Sequence, residues 1–324
     1  MKFFENKRTQ SRRELYICGI RVLTRERGKA AAARRHKESL AAQEILLNQT
    51  RTYLATEADL AALPPAKQEL PGNTVWQLWF QGEENAPALI RKCLSSVRQH
   101  TNGRPYVLLT NENLHDYLDI PDYIMQKYRA GNIGHAHFSD VVRLLLLAQY
   151  GGTWIDATVL LTAPLPDEVE QAPFFVFKST DFCLYPRLPR STKWLREIQP
   201  LGNPYHCCSN WFIHASRGNR LVCIILESLL RHWKREDSAI NYFVMHLLIT
   251  LAVLSDDDCR RIFESMPTMG NRYPHILQHM LDEDFNPDIF TEVSAVSFAH
   301  KLTHRHNEEA FSPRSYYHKL LSDN

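Results

Sequence analysis

The 324-residue sequence predicts an α/β fold: a mostly parallel, twisted sheet with helices on both faces. Three observations carry the prediction. From Asn73 onward short β-rich apolar runs alternate with longer helical ones, and strand–helix–strand order at this spacing favours parallel pairing through crossover helices. Glycine is scarce, at 12, and 44% of the residues are apolar, so collagen-like and wholly disordered readings are excluded. The longest mostly apolar run, Tyr242 to Leu254, has 13 residues; a bilayer span needs roughly 20, so the run reads as a buried helix.

Residues 1–62 read as helical, Ala-rich and charged from Arg25 to Leu60, with Leu15 to Leu23 (LYICGIRVL) either a strand or an amphipathic anchor. Pro64-Pro65 ends that helix, because proline lacks the N–H and displaces its predecessor from αR. Pro71-Gly72-Asn73 is a second break. These marks divide the chain into a basic helical extension (1–70), a core (71–250) and a helical C-terminal region (251–324) that completes the site.

Within the core, Thr74 to Phe80 is the first strand, Ala86 to His100 a helix, Pro105 to Thr110 the second strand and Leu114 to Arg129 a helix. A further helix spans His135 to Gln149 and ends at Gly151-Gly152, where a left-handed cap is expected. Thr153 to Leu161 and Phe174 to Lys178 are the third and fourth strands. Beyond Trp211 the text is helical over Arg220 to Arg235, Ala239 to Leu254 and Pro274 to Leu281, then a polar tail rich in His and aromatic residues. Ligands of such sheets lie beyond the carboxyl ends of the strands, which puts residues 80–83, 110–113 and 156–158 near one another.

The net charge of +2 conceals an asymmetry: residues 1–40 carry +8 and the remainder −6. A basic head on an acidic body points to a polyanion. No nucleic-acid motif accompanies it and no aromatics interleave with Arg21 to Lys37, so an anionic membrane surface is preferred over nucleic acid, with a partnerless solvated face as the alternative. No apolar h-region follows the basic start, so a cytoplasmic location is expected, peripheral at the membrane's inner face. The seven cysteines (Cys18, Cys93, Cys183, Cys207, Cys208, Cys223, Cys259) form no C-x-x-C pair and read as free thiols.

The informative stretch is His135 to Val159, HAHFSDVVRLLLLAQYGGTWIDATV. Asp140 and Arg143 share one face of an otherwise apolar helix, either as an intrahelical ion pair or as groups that bind something. Asp156 sits among Trp154, Ile155, Val159 and Leu160 at a strand's carboxyl end, where a carboxylate suits a metal or a sugar. His135-x-His137 lacks a third ligand at a convincing distance, and His246 reads as a hydrogen-bonded core residue. The sequence contains no G-x-S-x-G, P-loop or G-x-G-x-x-G, which excludes hydrolase, kinase and Rossmann dehydrogenase readings.

Ser139-Asp140-Val141-Val142-Arg143 followed by Gly151-Gly152-Thr153-Trp154-Ile155-Asp156-Ala157-Thr158 resembles the core motif of sugar-binding "DXD" glycosyltransferases. Those include family 32 and, more closely, the bacterial capsular polysaccharide synthesis glycosyltransferases. Val75 to Gly82 (VWQLWFQG) is similar to that family's first strand; Ser209 to Phe212, Gly218-Asn219, Tyr242-Phe243 with His246, and His300 to Leu302 agree more loosely.

The resemblance implies a GT-A fold and transfer of a sugar, with retention, from a nucleotide diphosphate sugar (a UDP-sugar by preference) to a hydroxyl of a glycan or lipid-linked glycan. It implies Asp156, Asp140 and Arg143 as catalytic residues. It places Trp79, Gln77, Ser139, Asp140, Arg143, Gly152, Ala157, Thr158 and Lys301 on the donor, and Asn210 and Trp211 on the acceptor side. Trp79 would stack on the base, or be a core residue; Arg143 would reach a phosphate; Lys301 would touch a phosphate, or be a solvated tail residue. Mn²⁺ or Mg²⁺ would sit on Asp156, with Thr158 and His300 as further candidate ligands, although Thr158 replaces the motif's second carboxylate. Acceptor recognition would fall on Thr180 to His206. A non-catalytic nucleotide-sugar or glycan-binding component of an assembly complex is the alternative.

Overall fold

The computed structural model describes residues 4–8, 12–17, 20–26, 28–57, 65–179, 207–305, 309 and 311–322. Its contacts divide the chain into two compact units, Met1–Gln49 and Thr50–Asn324. The division falls upstream of the expected boundary at residue 71, because residues after Pro64 belong to the second unit: the Lys67 amide donates to the Tyr150 hydroxyl, and Ala66 and Leu70 pack on its core.

In the first unit three antiparallel strands, β1 (Phe4–Arg8), β2 (Arg12–Ile17) and β3 (Ile20–Glu26), precede α1 (Gly28–Thr50). The helical expectation for residues 1–62 therefore holds over α1 and is overturned over β1 and the outer parts of β2 and β3, while the strand alternative for Leu15 to Leu23 agrees with residues 15–17 and 20–23. Tyr16, Ile17, Ile20, Val22 and Thr24 are β-branched or aromatic, types that fit a pleated surface better than a helix.

The second unit comprises β4 (Val75–Leu78), α2 (Ala88–Gln99), β5 (Tyr106–Leu109), α3 (Leu114–Tyr117), α4 (Asp122–Arg129), α5 (His135–Gln149), β6 (Gly152–Ile155), β7 (Val159–Leu161), α6 (Asp167–Glu170) and β8 (Phe174–Lys178). There follow β9 (Cys208–Ala215), α7 (Arg220–Arg235), α8 (Val244–Ser255), α9 (Asp257–Ser265), α10 (Pro287–Val296), β10 (Ala299–Lys301) and α11 (Tyr316–Ser322). The central sheet has the order β5-β4-β6-β9-β8, with β4 parallel to both neighbours and β9 antiparallel between β6 and β8. Four of its five strands thus share one direction. It is a mixed α/β architecture with a mostly parallel sheet, consistent with the expected GT-A-like fold.

Strand alternation distributes the core over both faces. Trp76, Trp154, Val176 and Ile213 join one cluster with α5, α7 and α8, while Val75, Ile155, Phe175, Phe177 and Phe212 join another. Gly151 has φ +74°, as the cap predicts, and Gly152 has φ +97°. A Cβ on Gly152 would stand 2.1 Å from the Thr74 carbonyl oxygen, so β6 can lie this close to β4 only with glycine there.

The expected single strand over residues 153–161 breaks in two. The amide of Val159 donates to the Asp156 carbonyl at 2.9 Å, closing a turn that sends β7 out of the main sheet to pair antiparallel with β10. Asp156 therefore lies just past a strand, not inside it. Pro121 likewise divides the expected helix over residues 114–129 into α3 and α4. Residues 273–280 form short 3₁₀ turns where one helix was expected, and β9, α10, β10 and α11 were not anticipated. Among the described residues no helix is long and apolar enough to cross a membrane. Cys93, Cys207, Cys208, Cys223 and Cys259 are free thiols.

Candidate functional site

At the carboxyl ends of β4 and β6 opens a cavity of about 620 Å³. Leu78 to Gln81 follow β4 into it, and Asp156 to Thr158 follow β6. The amino-terminal half of α5, the start of β9, Asn271, His275 and the stretch after β10 complete the wall. Because β9 runs opposite to β6, its beginning, not its end, reaches this mouth. Residues 110–112 line a neighbouring depression with residues 80–85, so the expected convergence of strand ends is divided between two adjoining concavities.

The floor is a charged cluster. Asp140 and Arg143, one turn apart on α5, are 5% and 4% exposed, a burial that ions tolerate only when paired. Arg143 supplies the pairing. Its Nη1 lies 3.3 Å from Asp140 Oδ1 and donates to the Asn210 carbonyl at 2.6 Å; its Nη2 lies 3.3 Å from Asp156 Oδ1 and donates to Ser139 Oγ at 3.2 Å. Nε donates to the Ser139 carbonyl at 3.3 Å, and the guanidinium lies 5.1 Å from the Trp154 ring centre. The intrahelical ion pair of the first reading is present, and Arg143 also tethers α5 to the turn after β6. Arg143 acts as a strut between these groups and also lines the cavity.

Burial pushes the Asp140 carboxyl up to about 6, against the opposing pull of Arg143 and His137. Burial also works against the charge on Asp156, but Lys301 and Arg143, with the hydrogen bonds from Lys301 and Trp154, outweigh it and hold that carboxyl below its ordinary value. Two carboxylates on one floor therefore have environments that separate them. Asn210 Nδ2 donates to Asp140 Oδ1 at 3.0 Å, so Asn210 belongs to the floor.

Lys301 arrives from the far end of the chain. β10 pairs with β7 so that Lys301 faces Val159, and the Leu302 amide donates to the Thr158 carbonyl at 2.9 Å. Its Nζ then lies 2.7 Å from Asp156 Oδ2 and donates to Thr158 Oγ1 at 2.5 Å. The side chain lines the cavity and is no solvated tail residue. Strand alternation turns the preceding His300 the other way: it is wholly buried, lies 3.1 Å from Thr162 Oγ1 and is pushed down to about 4 by burial. His300 is not positioned to meet a ligand in the cavity.

Trp79, Ser139, Ala157, Thr158, Asn210 and Trp211 line the cavity with the floor residues. Two expected donor residues do not. Gln77 is wholly buried beneath the turn, donating to the Asp156 carbonyl at 3.3 Å and accepting from the Tyr106 hydroxyl at 3.0 Å. Gly152 is inside the sheet, where its role is the close approach to β4. Trp211 stacks on Phe177 with ring centres 4.7 Å apart, and the Trp79 ring meets His304 edge-on at 5.6 Å. The expected acceptor segment, Thr180 to His206, lies outside the described residues.

A divalent cation does not fit the oxygens offered. Hard dications take several oxygen ligands, carboxylates above all. Here the turn offers one carboxylate, whose Oδ1 accepts the Trp154 indole N–H at 2.9 Å and whose Oδ2 holds the Lys301 ammonium; Thr158 holds the same ammonium. Among the described residues no group of three or more His, Cys, Asp and Glu is placed to hold a metal ion.

The rim contains residues that the sequence reading noted only as a loose agreement with the resembled family and gave no role at the site. Tyr242 and Phe243, 63% and 41% exposed, meet edge-on at 5.1 Å beside His137, whose Nε2 lies 3.2 Å from the Tyr242 carbonyl. His246, expected in the core, is half-buried and faces the cavity with them. The helix begins at Val244, so the first two residues of the apolar run are free to project; only their place before the helix could have signalled it.

No curated protein matches the chain. Among solved structures, one named PaToxG Glycosyltransferase aligns over 81% of this chain and 95% of its own at 13% identity, with a TM-score of 0.36, too distant to bear on fold or activity. The family described as "Capsular polysaccharide synthesis protein" matches residues 26–320, which include every cavity-lining segment named above, and the chain belongs to that family.

Proposed function

We propose that the chain is a glycosyltransferase of GT-A type that moves a sugar from a nucleotide diphosphate sugar, a UDP-sugar by preference, to a hydroxyl of a growing capsular or cell-surface glycan. Family membership supports capsule-related sugar transfer. The observation that carries the reading is the paired cluster of Asp140, Arg143, Asp156 and Lys301 on the floor of one cavity, at the ligand-binding end of the sheet.

In the reaction the bond from the sugar's anomeric carbon to the diphosphate breaks, and an acceptor hydroxyl bonds to that carbon and loses its proton. Negative charge grows on the leaving diphosphate, so a preorganised cation beside it lowers the barrier. The half-buried Lys301 ammonium, which lines the cavity, is such a cation on the floor. Trp79 offers its face to the base, Asp140 and Ser139 accept sugar hydroxyls, and Arg143 holds both carboxylates in place. Retention at the anomeric carbon follows from the resemblance alone. Tyr242, Phe243 and Trp211 offer apolar rings to the acceptor, since sugar C–H faces pack on aromatics. Contact of residues 1–40 with anionic lipid would keep the enzyme where lipid-linked glycans are made.

The test is incubation with UDP-, GDP- and CMP-sugars and a glycan acceptor, reading nucleotide release. Turnover of one donor, lost in Asp156→Ala, is expected. Saturable donor binding without turnover of any donor would instead identify a non-catalytic binding component, and no donor binding would end the proposal.

A further inference from the structure

We propose that Lys301 takes the place of a divalent cation at this site: its ammonium, held by Asp156 and Thr158, receives the donor's diphosphate, so that nucleotide binding needs no metal. The inference rests on the donor reading above and adds to it the chemistry by which the diphosphate is met.

The first argument is charge balance. A two-carboxylate motif with a dication is neutral overall. Here the second carboxylate is replaced by Thr158, and one carboxylate with one ammonium is neutral too. Asp156 and Lys301 balance each other in one place, the ammonium 2.7 Å from Asp156 Oδ2 and 2.5 Å from Thr158 Oγ1.

The second argument is that this placement is dictated by backbone. Lysine is usually a flexible surface group. Lys301 instead lies in a strand paired residue by residue with β7, three residues beyond Asp156, and the next amide is bonded to the Thr158 carbonyl. An ammonium has three N–H donors. Two are directed to Asp156 Oδ2 and Thr158 Oγ1, which leaves the third for a phosphate oxygen on the cavity side.

The third argument is competition. A dication on Asp156 would have to displace Lys301 and would lie beside Arg143, whose Nη2 is 3.3 Å from Asp156 Oδ1. An anion meets the opposite field, with Lys301 below it and Arg305 exposed at the same mouth.

The experiment is calorimetric titration of the full chain with UDP, GDP and CDP, in EDTA and in Mn²⁺. At least one nucleotide is expected to bind with affinities within about twofold of each other in the two buffers, well under the tenfold that 1.4 kcal/mol represents. Lys301→Met is expected to weaken that nucleotide roughly 10- to 100-fold, as losing a hydrogen bond to a charged group does, while the parent nucleoside binds unchanged. Lys301→Arg restores most of the loss. Manganese added alone is expected to keep the paramagnetic resonance signal of the free aqua ion. Binding that disappears in EDTA and returns with Mn²⁺ overturns the inference and leaves the transferase reading intact. So does saturable Mn²⁺ binding abolished in Asp156→Asn, or unchanged diphosphate affinity in Lys301→Met. Failure of every nucleotide in both buffers overturns the transferase reading, and this inference with it.

Discussion

The floor and the rim of the cavity are built on opposite principles. On the floor, every charge has a partner within about hydrogen-bonding distance: Arg143 alone joins Asp140, Asp156, Ser139 and Asn210, and lies 4% exposed. On the rim, Tyr242 and Phe243 project 63% and 41% exposed from the loop before α8, where Tyr242 meets His137 and Phe243 meets His246 edge-on. A paired, buried network resists any change, because removing one member leaves the rest uncompensated. An exposed aromatic pair can be altered at little cost to the fold. Under the proposed function, the floor would meet the donor and the rim would choose the acceptor.

The most severe test of that contrast is Arg143→Met. It leaves Asp140 without its cation and Asp156 with Lys301 alone, and denaturant unfolding is expected to show a loss of about 3–5 kcal/mol, with donor turnover abolished. A loss below about 1 kcal/mol, the scale of a surface pair, would mean that the floor is not one unit. Next comes Trp79→Ala. It is expected to weaken donor binding roughly 5- to 100-fold, the scale of one stacked base, with the acceptor KM unchanged; an effect on the acceptor alone would move Trp79 to the other side of the cavity.

Asp140 supplies a pH test of intermediate size. Its folded value of about 6 exceeds the ordinary 3.8, so the folded chain holds this proton more tightly than the unfolded chain does. The stability that this carboxyl contributes is therefore complete below about pH 4 and lost as the pH rises through 6. Donor binding should run the other way, strengthening through pH 6 as the carboxyl ionises, and Asp140→Asn should flatten the curve. A donor-affinity profile flat from pH 5 to pH 7 in the unmodified chain would remove Asp140 from donor recognition. The smallest effects are expected at the rim: Tyr242→Ala with Phe243→Ala should raise the acceptor KM roughly 2- to 10-fold and leave donor affinity and melting temperature unchanged. A fall in melting temperature would mean that the pair belongs to the core after all.

The sequence reading was most accurate where a single element decided the pattern. Phe174–Lys178 and Arg220–Arg235 have the limits expected of them, and α5 ends at the glycine pair that caps it. Asp140, Arg143 and Asp156 were legible because charge is conspicuous in apolar text, and the cavity brings them together. What stayed hidden depends on contacts distant in sequence. Nothing local shows that Ile155 ends one strand and Val159 begins another, since apolar residues flank the turn on both sides; the turn is closed by the Val159 amide on the Asp156 carbonyl and anchored by the Asp156 amide on the Trp211 carbonyl. β10 has three residues, too few for any periodicity, and owes its existence to β7. The opposite orientations of His300 and Lys301 follow from that pairing alone. β1 and the outer parts of β2 and β3, beyond the strand alternative offered for Leu15 to Leu23, were misread for another reason: their charged residues are compatible with an exposed helix, and the β-branched positions that argue otherwise are thinly spread.

One feature of the cavity bears on how the chain is made. Asp156 and its ammonium partner are separated by 145 positions, and translation proceeds from the amino end. Before β10 is made, the turn after β6 carries its acid without the ammonium, with Arg143 and the Trp154 indole N–H as its partners. A polypeptide that ends short of β10 therefore lacks the cation that Asp156 holds.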